Sequence, residues 1–235
     1  MKAIIGGTGI DELFPNSKIH EITTKYGSAS YIKEDDVIII LRHGVNHDIP
    51  PHLINYRANV EALRLLNVDS CIGIYAVGSI SNKLPPGAVT IIEDFIDFTK
   101  GKRESTFATV NDVFHVEMTT PFDLDLKVKL KKEASICNFP LSDGGVYLCT
   151  DGPRLETPAE IRMFEHFGAD FVGMTGCPEF TLMNEAKIKF VGLAYSINWA
   201  SGVNHDKVTF IDDQAIGKIA QALISFCLRS YSLIS

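Results

Sequence analysis

The sequence predicts an α/β protein spanning 1–235 as one domain, and three observations predict it. Short unbroken apolar runs, such as Ala3-Ile4-Ile5, Val37-Ile38-Ile39-Ile40-Leu41 and Lys189 to Ile197, have the length and β-branched content of strands buried on both faces. Segments with apolar residues at helical spacing separate them, as in Asn55 to Leu66, where Val60, Leu63 and Leu66 form one stripe. No repeat, low-complexity tract or linker divides the 235 residues, an ordinary length for one α/β domain.

Composition narrows the function classes. The net charge of −7 argues against nucleic acid or an anionic membrane as the main partner, while leaving room for a small anionic ligand held by a local cluster. No apolar run approaches the length of a membrane span. The N-terminal apolar run is interrupted by Gly6, Gly7, Gly9 and Asp11, so it reads as a buried first strand and not as a signal peptide. Five scattered cysteines without a Cys-x-x-Cys pair predict free thiols in a reducing, cytoplasmic compartment, with no zinc site.

In chain order, the strand Ala3–Ile5 runs into Gly6-Gly7-Thr8-Gly9. The third glycine of a dinucleotide fingerprint is missing, Glu12 holding its place, so this is either a plain turn or an anion cradle of bare amides and the Thr8 hydroxyl. Residues 28–41 predict a hairpin, with Glu34-Asp35-Asp36 as its turn. Arg42-His43-Gly44 follows its second strand, and an arginine fork beside a histidine at a strand end suits an oxyanion. After the Asn55–Leu66 helix, Cys71 to Ala76 is a buried strand ending in a small-residue turn, Val77-Gly78-Ser79-Ile80. Ala88 to Ile92 is a further strand, running on to Asp94–Asp97, and 100–125 is a long irregular segment of the kind that serves function or an interface.

The stretch Thr150 to Glu160 is the most explicit. A short apolar run, Val146 to Cys149, enters a Gly152-Pro153 turn, and Thr157, Pro158 and Glu160 spell a capping box with proline at the first helical position. The helix continues through Ile161, Met163, Phe164 and Phe167 to Gly168. Glu156, between Leu155 and the cap, either favours the helix dipole or faces inward towards a ligand. Asp170 to Met174 is a strand leading through Thr175 into a helix near Glu179, and the long strand from Lys189 ends at Asn198-Trp199. An asparagine leaving a buried strand needs partners for its amide, as a turn former or a ligand group. Ile211 to about Leu228 is an amphipathic helix.

Gly6-Gly-Thr-Gly9, Arg42-His-Gly44, Asn55-Tyr-x-Ala-Asn59, Ala76-Val-Gly-Ser79, Gly152-Pro-Arg154 and Gly173-Met-Thr175 with Pro178-Glu179, in this order, resemble the nucleoside phosphorylase superfamily. Within it, the branch of methylthioadenosine phosphorylases and trimeric purine nucleoside phosphorylases is the nearest in pattern, over nearly the whole chain. The resemblance implies a mixed central β-sheet flanked by helices, with the active site at strand ends. It implies a homotrimer, or a hexamer of two trimers, with sites near subunit interfaces. Phosphate is then a co-substrate, with no cofactor and no metal. Thr8, Arg42, His43, the Tyr75-Ala76 backbone and Thr175 would hold phosphate; Tyr75 departs from the usual threonine, which leaves the Ala76 amide as the contact. Met174 would lie against the ribose, and His115 would reach a neighbouring subunit's pocket around the 5′ substituent.

The base pocket departs from the adenine-specific pattern of the family. Where methylthioadenosine phosphorylases carry two aspartates and a serine, this chain has Asn198, Ala200 and Glu156. A carboxylate at Glu156 suits the N1–H of a 6-oxopurine, and the Asn198 amide can donate to N7 or O6 as charge builds on the leaving base. Leu155 lies beside this pair. The resemblance therefore implies phosphorolysis of inosine or guanosine, with S-methyl-5′-thioinosine as the alternative substrate, or methylthioadenosine if the base-pocket argument fails; the alternative from another class is a non-catalytic Rossmann-like ligand-binding protein. Val208, Phe210 and Ile211 form an apolar segment on which Ile211 falls near the 5′ group, while His205 and His115 are the polar candidates there.

Overall fold

The computed structural model describes residues 1–10, 13–14, 16–100, 105–204 and 207–232. Its strands are β1 (Lys2–Gly6), β2 (Ile19–Thr24), β3 (Gly27–Glu34), β4 (Val37–Leu41), β5 (Ser70–Ser79), β6 (Val89–Ile91), β7 (Asp94–Asp97), β8 (Leu141–Asp143), β9 (Val146–Cys149), β10 (Phe171–Gly173) and β11 (Lys189–Trp199). The helices are α1 (Tyr56–Leu65), α2 (Leu124–Cys137), α3 (Pro158–His166), α4 (Glu179–Glu185) and α5 (Asp213–Ser232). All eleven strands join one mixed sheet, as expected: β1 runs parallel to β4 and β5, and β11 parallel to β5, whereas β3 against β4 and β6 against β11 are antiparallel.

Because strand side chains alternate, each buried strand feeds two cores. Ile5, Ile38 and Ile40 pack on the face covered by α1 and α4, with Val60, Leu63 and Phe180. Ile4 and Ile39 face the other way, towards Leu126 and Leu130 of α2 and Leu223 and Phe226 of α5. This double burial is why the strands read as continuous apolar runs. Among the described residues, no helix is long and apolar enough to cross a membrane.

Strand β5 is the branch point of the sheet. β11 pairs with it from Ser70 to Ser79 and fills one edge. The other edge is shared: β1 pairs only as far as Ile5 opposite Gly73, and β10, antiparallel, meets Gly78 and Ser79. Between them, residues 74–77 have no strand partner on that edge among the described residues. The carboxyl ends of β1 and β10 approach this gap from opposite directions, which is where α/β sheets leave room for ligands.

Three differences from the sequence reading have physical reasons. Val77 to Ser79 continues β5 instead of forming a turn, because β11 and β10 give its backbone ladder partners. Helix α2 was not anticipated: its stripe is the narrow series Leu126, Leu130 and Ala134 among lysines, and its start depends on Asp123, which accepts the Leu126 N–H at 2.8 Å. Strand β2 also escaped, since it pairs with β3 at the sheet's edge and is largely solvated. The capping box of α3 is present as read: Thr157 N–H donates to Glu160 Oε2 at 2.8 Å and Glu160 N–H to Thr157 Oγ1 at 3.2 Å.

Candidate active site

Four strand ends meet at the β5 gap. β1 delivers Gly7-Thr8, β4 delivers Arg42-His43, β10 delivers Met174-Thr175, and β11 delivers Asn198. They enclose a cavity of about 600 Å³, a usual size for a small-molecule site. Thr8, Arg42, His43, Ala76, Met174, Thr175, Leu155, Glu156, Asn198 and Ala200 all line it. Ten of the thirteen residues picked from the sequence are thus brought together by segments far apart in the chain.

At one end the walls are tightly fixed. Arg42 is buried, and its guanidinium donates to both Glu179 oxygens, Nε to Oε2 at 2.9 Å and Nη2 to Oε1 at 2.8 Å. Further bonds run from Nη1 to the Ile74 carbonyl at 3.0 Å and from Nη2 to the Ile5 carbonyl at 3.3 Å, across the gap between β1 and β5. Burial alone would lower the pKa of Arg42, but the Glu179 carboxylate outweighs it and holds the guanidinium above its usual range, so it stays a cation. His43 Nδ1 lies 2.8 Å from the Ile49 carbonyl; a carbonyl only accepts, so Nδ1 carries the proton of that bond. Gly7 makes this packing possible: a Cβ there would lie 2.6 Å from His43 Cδ2 and 3.4 Å from Arg42 Nη1. On the facing side, the Tyr147 hydroxyl accepts the N–H groups of Thr175 at 3.3 Å and Gly176 at 3.2 Å, fixing the turn that carries the Thr175 side chain.

At the other end stand Glu156 and Asn198, both buried. Glu156 does face inward, and Thr150 Oγ1 donates to its Oε1 at 2.7 Å. Burial pushes its carboxyl above the usual range, with the Thr150 bond pulling the other way. Arg154, close by in sequence, turns instead to Glu160, whose carboxylate its fork and the Thr157 N–H hold down at about 2. Asn198 Nδ2 donates to the Trp199 carbonyl at 2.8 Å, and its backbone bridges to Phe210. Gly152, at φ +60°, lets Met174 close over the turn: a Cβ there would lie 2.4 Å from its Sδ.

Three picked residues do not line this cavity. The Tyr75 side chain points into the core, fully buried, and donates to Glu179 Oε1; its neighbours Ile74 and Ala76 line the cavity. Ile211 N–H donates to the Ile197 carbonyl at 2.8 Å, and Val208 and Phe210 take the wall position expected of Ile211. His115, expected at a neighbouring subunit's pocket and not at this chain's own, is exposed in the irregular segment and is absent from the wall. His205 and Glu12 lie outside the described residues. The sequence reading missed His47 and Asp48, which line the cavity, and the partner role of Glu179, for which an acid at a helix start gave no signal beyond the helix dipole. Among the described residues, no three or more His, Cys, Asp or Glu side chains are grouped to hold a metal ion.

The phosphorylase superfamily model matches residues 3–229 of this chain. A probable S-methyl-5′-thioinosine phosphorylase of Methanocaldococcus jannaschii is 44% identical over 223 residues, covering 94% of this chain and 86% of the relative. A 6-oxopurine nucleoside phosphorylase of Pyrococcus furiosus is 35% identical over 246 residues, covering 99% and 92%. Among solved structures, methylthioadenosine phosphorylase from Schistosoma mansoni in complex with tubercidin is similar with a TM-score of 0.87 at 27% identity, covering 99% of this chain and 91% of that one.

Proposed function

The chain belongs to the phosphorylase superfamily, and from that membership we propose that it cleaves 6-oxopurine nucleosides with phosphate, giving free base and a pentose 1-phosphate. The observation that carries this reading is the shared cavity. Glu156 and Asn198 stand on the same walls as Thr8, Arg42, His43 and Thr175. A leaving purine and an attacking phosphate need those two chemistries within one nucleoside's length.

In the proposed reaction the C1′–N9 bond stretches first, leaving an oxocarbenium-like sugar and an anionic purine. Phosphate, held by Thr8, Arg42, His43, the Ala76 amide and Thr175, attacks C1′ from the face opposite the base, and its charge stabilises the cationic sugar. Met174 packs against the ribose. The Asn198 amide donates to N7 or O6 as negative charge develops there, and ionised Glu156 accepts the N1–H that a 6-oxopurine has and adenine lacks. Ala200 adds no second acid, which supports the same preference. Catalysis is by positioning and preorganised electrostatics, with phosphate as co-substrate and no cofactor.

A 5′-methylthio nucleoside is the second reading, favoured by Val208 and Phe210 on the cavity wall. Assembly as a trimer or hexamer is proposed with it: Val110, Val113 and Phe114 are exposed beside His115, an apolar segment suited to meeting a second copy. A cytoplasmic location is part of the same proposal.

The test is release of free base from inosine, guanosine, adenosine and S-methyl-5′-thioinosine, with and without phosphate. Phosphate-dependent hypoxanthine release with little adenine is expected. Preferential release of adenine would sink the base-pocket reading, and release without phosphate would sink the reaction.

A further inference from the structure

Arg42 is the strongest cation on the proposed phosphate site, yet most of it is already spoken for. A guanidinium has five N–H donors, and the bonds to Glu179, Ile74 and Ile5 use all but one Nη1 hydrogen. Nη1 is also the atom that faces the bare Gly7 turn, 3.4 Å from where a Cβ would be. Its charge is matched by a carboxylate that is itself fully buried. What Arg42 offers an oxyanion is therefore one aimed hydrogen bond more than a loose positive charge.

The aim comes from two residues that touch no substrate position. Glu179 grips the guanidinium edge with both oxygens, a geometry that fixes its plane and its rotation. The Tyr75 hydroxyl donates to the same Oε1 that accepts Arg42 Nη2, and the Tyr75 ring lies against the guanidinium, 4.5 Å from its carbon to the ring centroid. Burial and the neighbouring carboxylate push the Tyr75 hydroxyl well above its usual pKa, so it stays a donor. We propose that Tyr75 and Glu179 are positioning residues for phosphorolysis: they hold the Arg42 guanidinium so that a single Nη1 hydrogen is presented to phosphate. This rests on the phosphate-site reading given above.

Tyr75→Phe is the decisive variant, because it keeps the ring and leaves Glu179 paired with Arg42, so the fold survives. Losing one hydrogen bond's worth of alignment predicts a KM for phosphate raised about three- to ten-fold, with KM for the nucleoside within about two-fold. Glu179→Gln, which sets an amide N–H₂ against the guanidinium donors, is expected to raise the phosphate KM further; if it does not fold, Tyr75→Phe decides alone. Titration of inorganic phosphate by calorimetry asks the same question without turnover. An unchanged phosphate KM and affinity in Tyr75→Phe, or KM values for phosphate and nucleoside that rise together, would overturn the proposal. A wild-type protein that binds phosphate but releases no base would overturn the proposed reaction and leave the positioning question to the titration.

Discussion

The two ends of the cavity are built differently. At the end assigned to phosphate, Arg42 is held by partners far away in sequence, Glu179, Ile74 and Ile5, and Thr175 by Tyr147, while His43 is bonded nearby to the Ile49 carbonyl. At the end assigned to the base, the side-chain anchors are local: Glu156 is bonded by Thr150, Asn198 by Trp199, and the preceding turn by a capping box within one helix start, while the Asn198 backbone also bridges to Phe210. Leu155, on that wall, is 42% exposed, whereas Arg42 is 2% exposed. A long-range scaffold changes only if several segments change together. A locally anchored wall can be altered by one or two substitutions. On the proposed reading, the reaction belongs to the buried network and the choice of purine to the local one.

The largest expected effect tests the buried end. Arg42→Lys keeps a positive charge but cannot grip Glu179 with two parallel bonds or span Ile74 and Ile5. Loss of an aimed donor at a developing charge predicts a fall of about 100- to 1,000-fold in kcat/KM for phosphate. Nucleoside KM should move far less. A variant with near wild-type phosphate kinetics would break the contrast, because charge alone would then suffice. The next effect tests the local end. Asn198→Asp with Glu156→Ser exchanges the donor and acceptor pattern facing the purine, and unmatched buried polar pairs cost about 1–3 kcal/mol. The ratio of inosine to adenosine kcat/KM should fall by about ten- to a hundred-fold, with phosphate KM little changed. An unaltered ratio would remove Glu156 and Asn198 from base selection.

The same contrast explains what could be read from the sequence. Local signals were legible: the α3 capping box, the glycine turn after β1 and the Arg42-His43 pair at a strand end are each written within a few residues. The direction of the Tyr75 side chain is not legible because β5 is buried on both faces, so no polar residue marks which side chains face the cavity; parity along such a strand is invisible. Ala76 faces the cavity and Tyr75 the core. That Phe210 and not Ile211 lines the cavity has a related reason. The register there is set by the Asn198–Phe210 bridge, a long-range pairing that spacing cannot supply. Glu179 was quoted in a motif, but only the fold reveals that it faces a guanidinium 137 residues away in sequence.

A smaller effect concerns pH. Ionised Glu156 is the form that accepts the N1–H, and burial raises its pKa above the usual carboxylate value of about 4.3. Inosine kcat/KM should therefore decline on acidification at a higher pH than an ordinary glutamate would give, and Glu156→Gln should abolish that limb. Stability has the opposite sign. A carboxyl whose folded pKa is raised destabilises the protein as pH rises through that value, because the charge must then stay buried. Glu156→Gln is accordingly expected to lose selectivity for 6-oxopurines at neutral pH while melting no lower than wild type. A variant that loses both would make Glu156 a structural residue.

The smallest effect separates the anchor from the acid it holds. Thr150 Oγ1 donates to Glu156 and opposes the upward shift caused by burial. Thr150→Val keeps the volume and removes the hydroxyl, so the carboxylate loses one stabilising bond of about 1 kcal/mol. The acid limb of inosine kcat/KM should move upward by under about one pH unit, since one unit corresponds to about 1.4 kcal/mol. Phosphate KM should stay put, because no part of the Arg42 network passes through Thr150. An acid limb that does not move would mean that Glu156 is set by burial alone. A phosphate KM that rises with it would mean that the two ends of the cavity are coupled and that the division between a buried scaffold and a local wall fails.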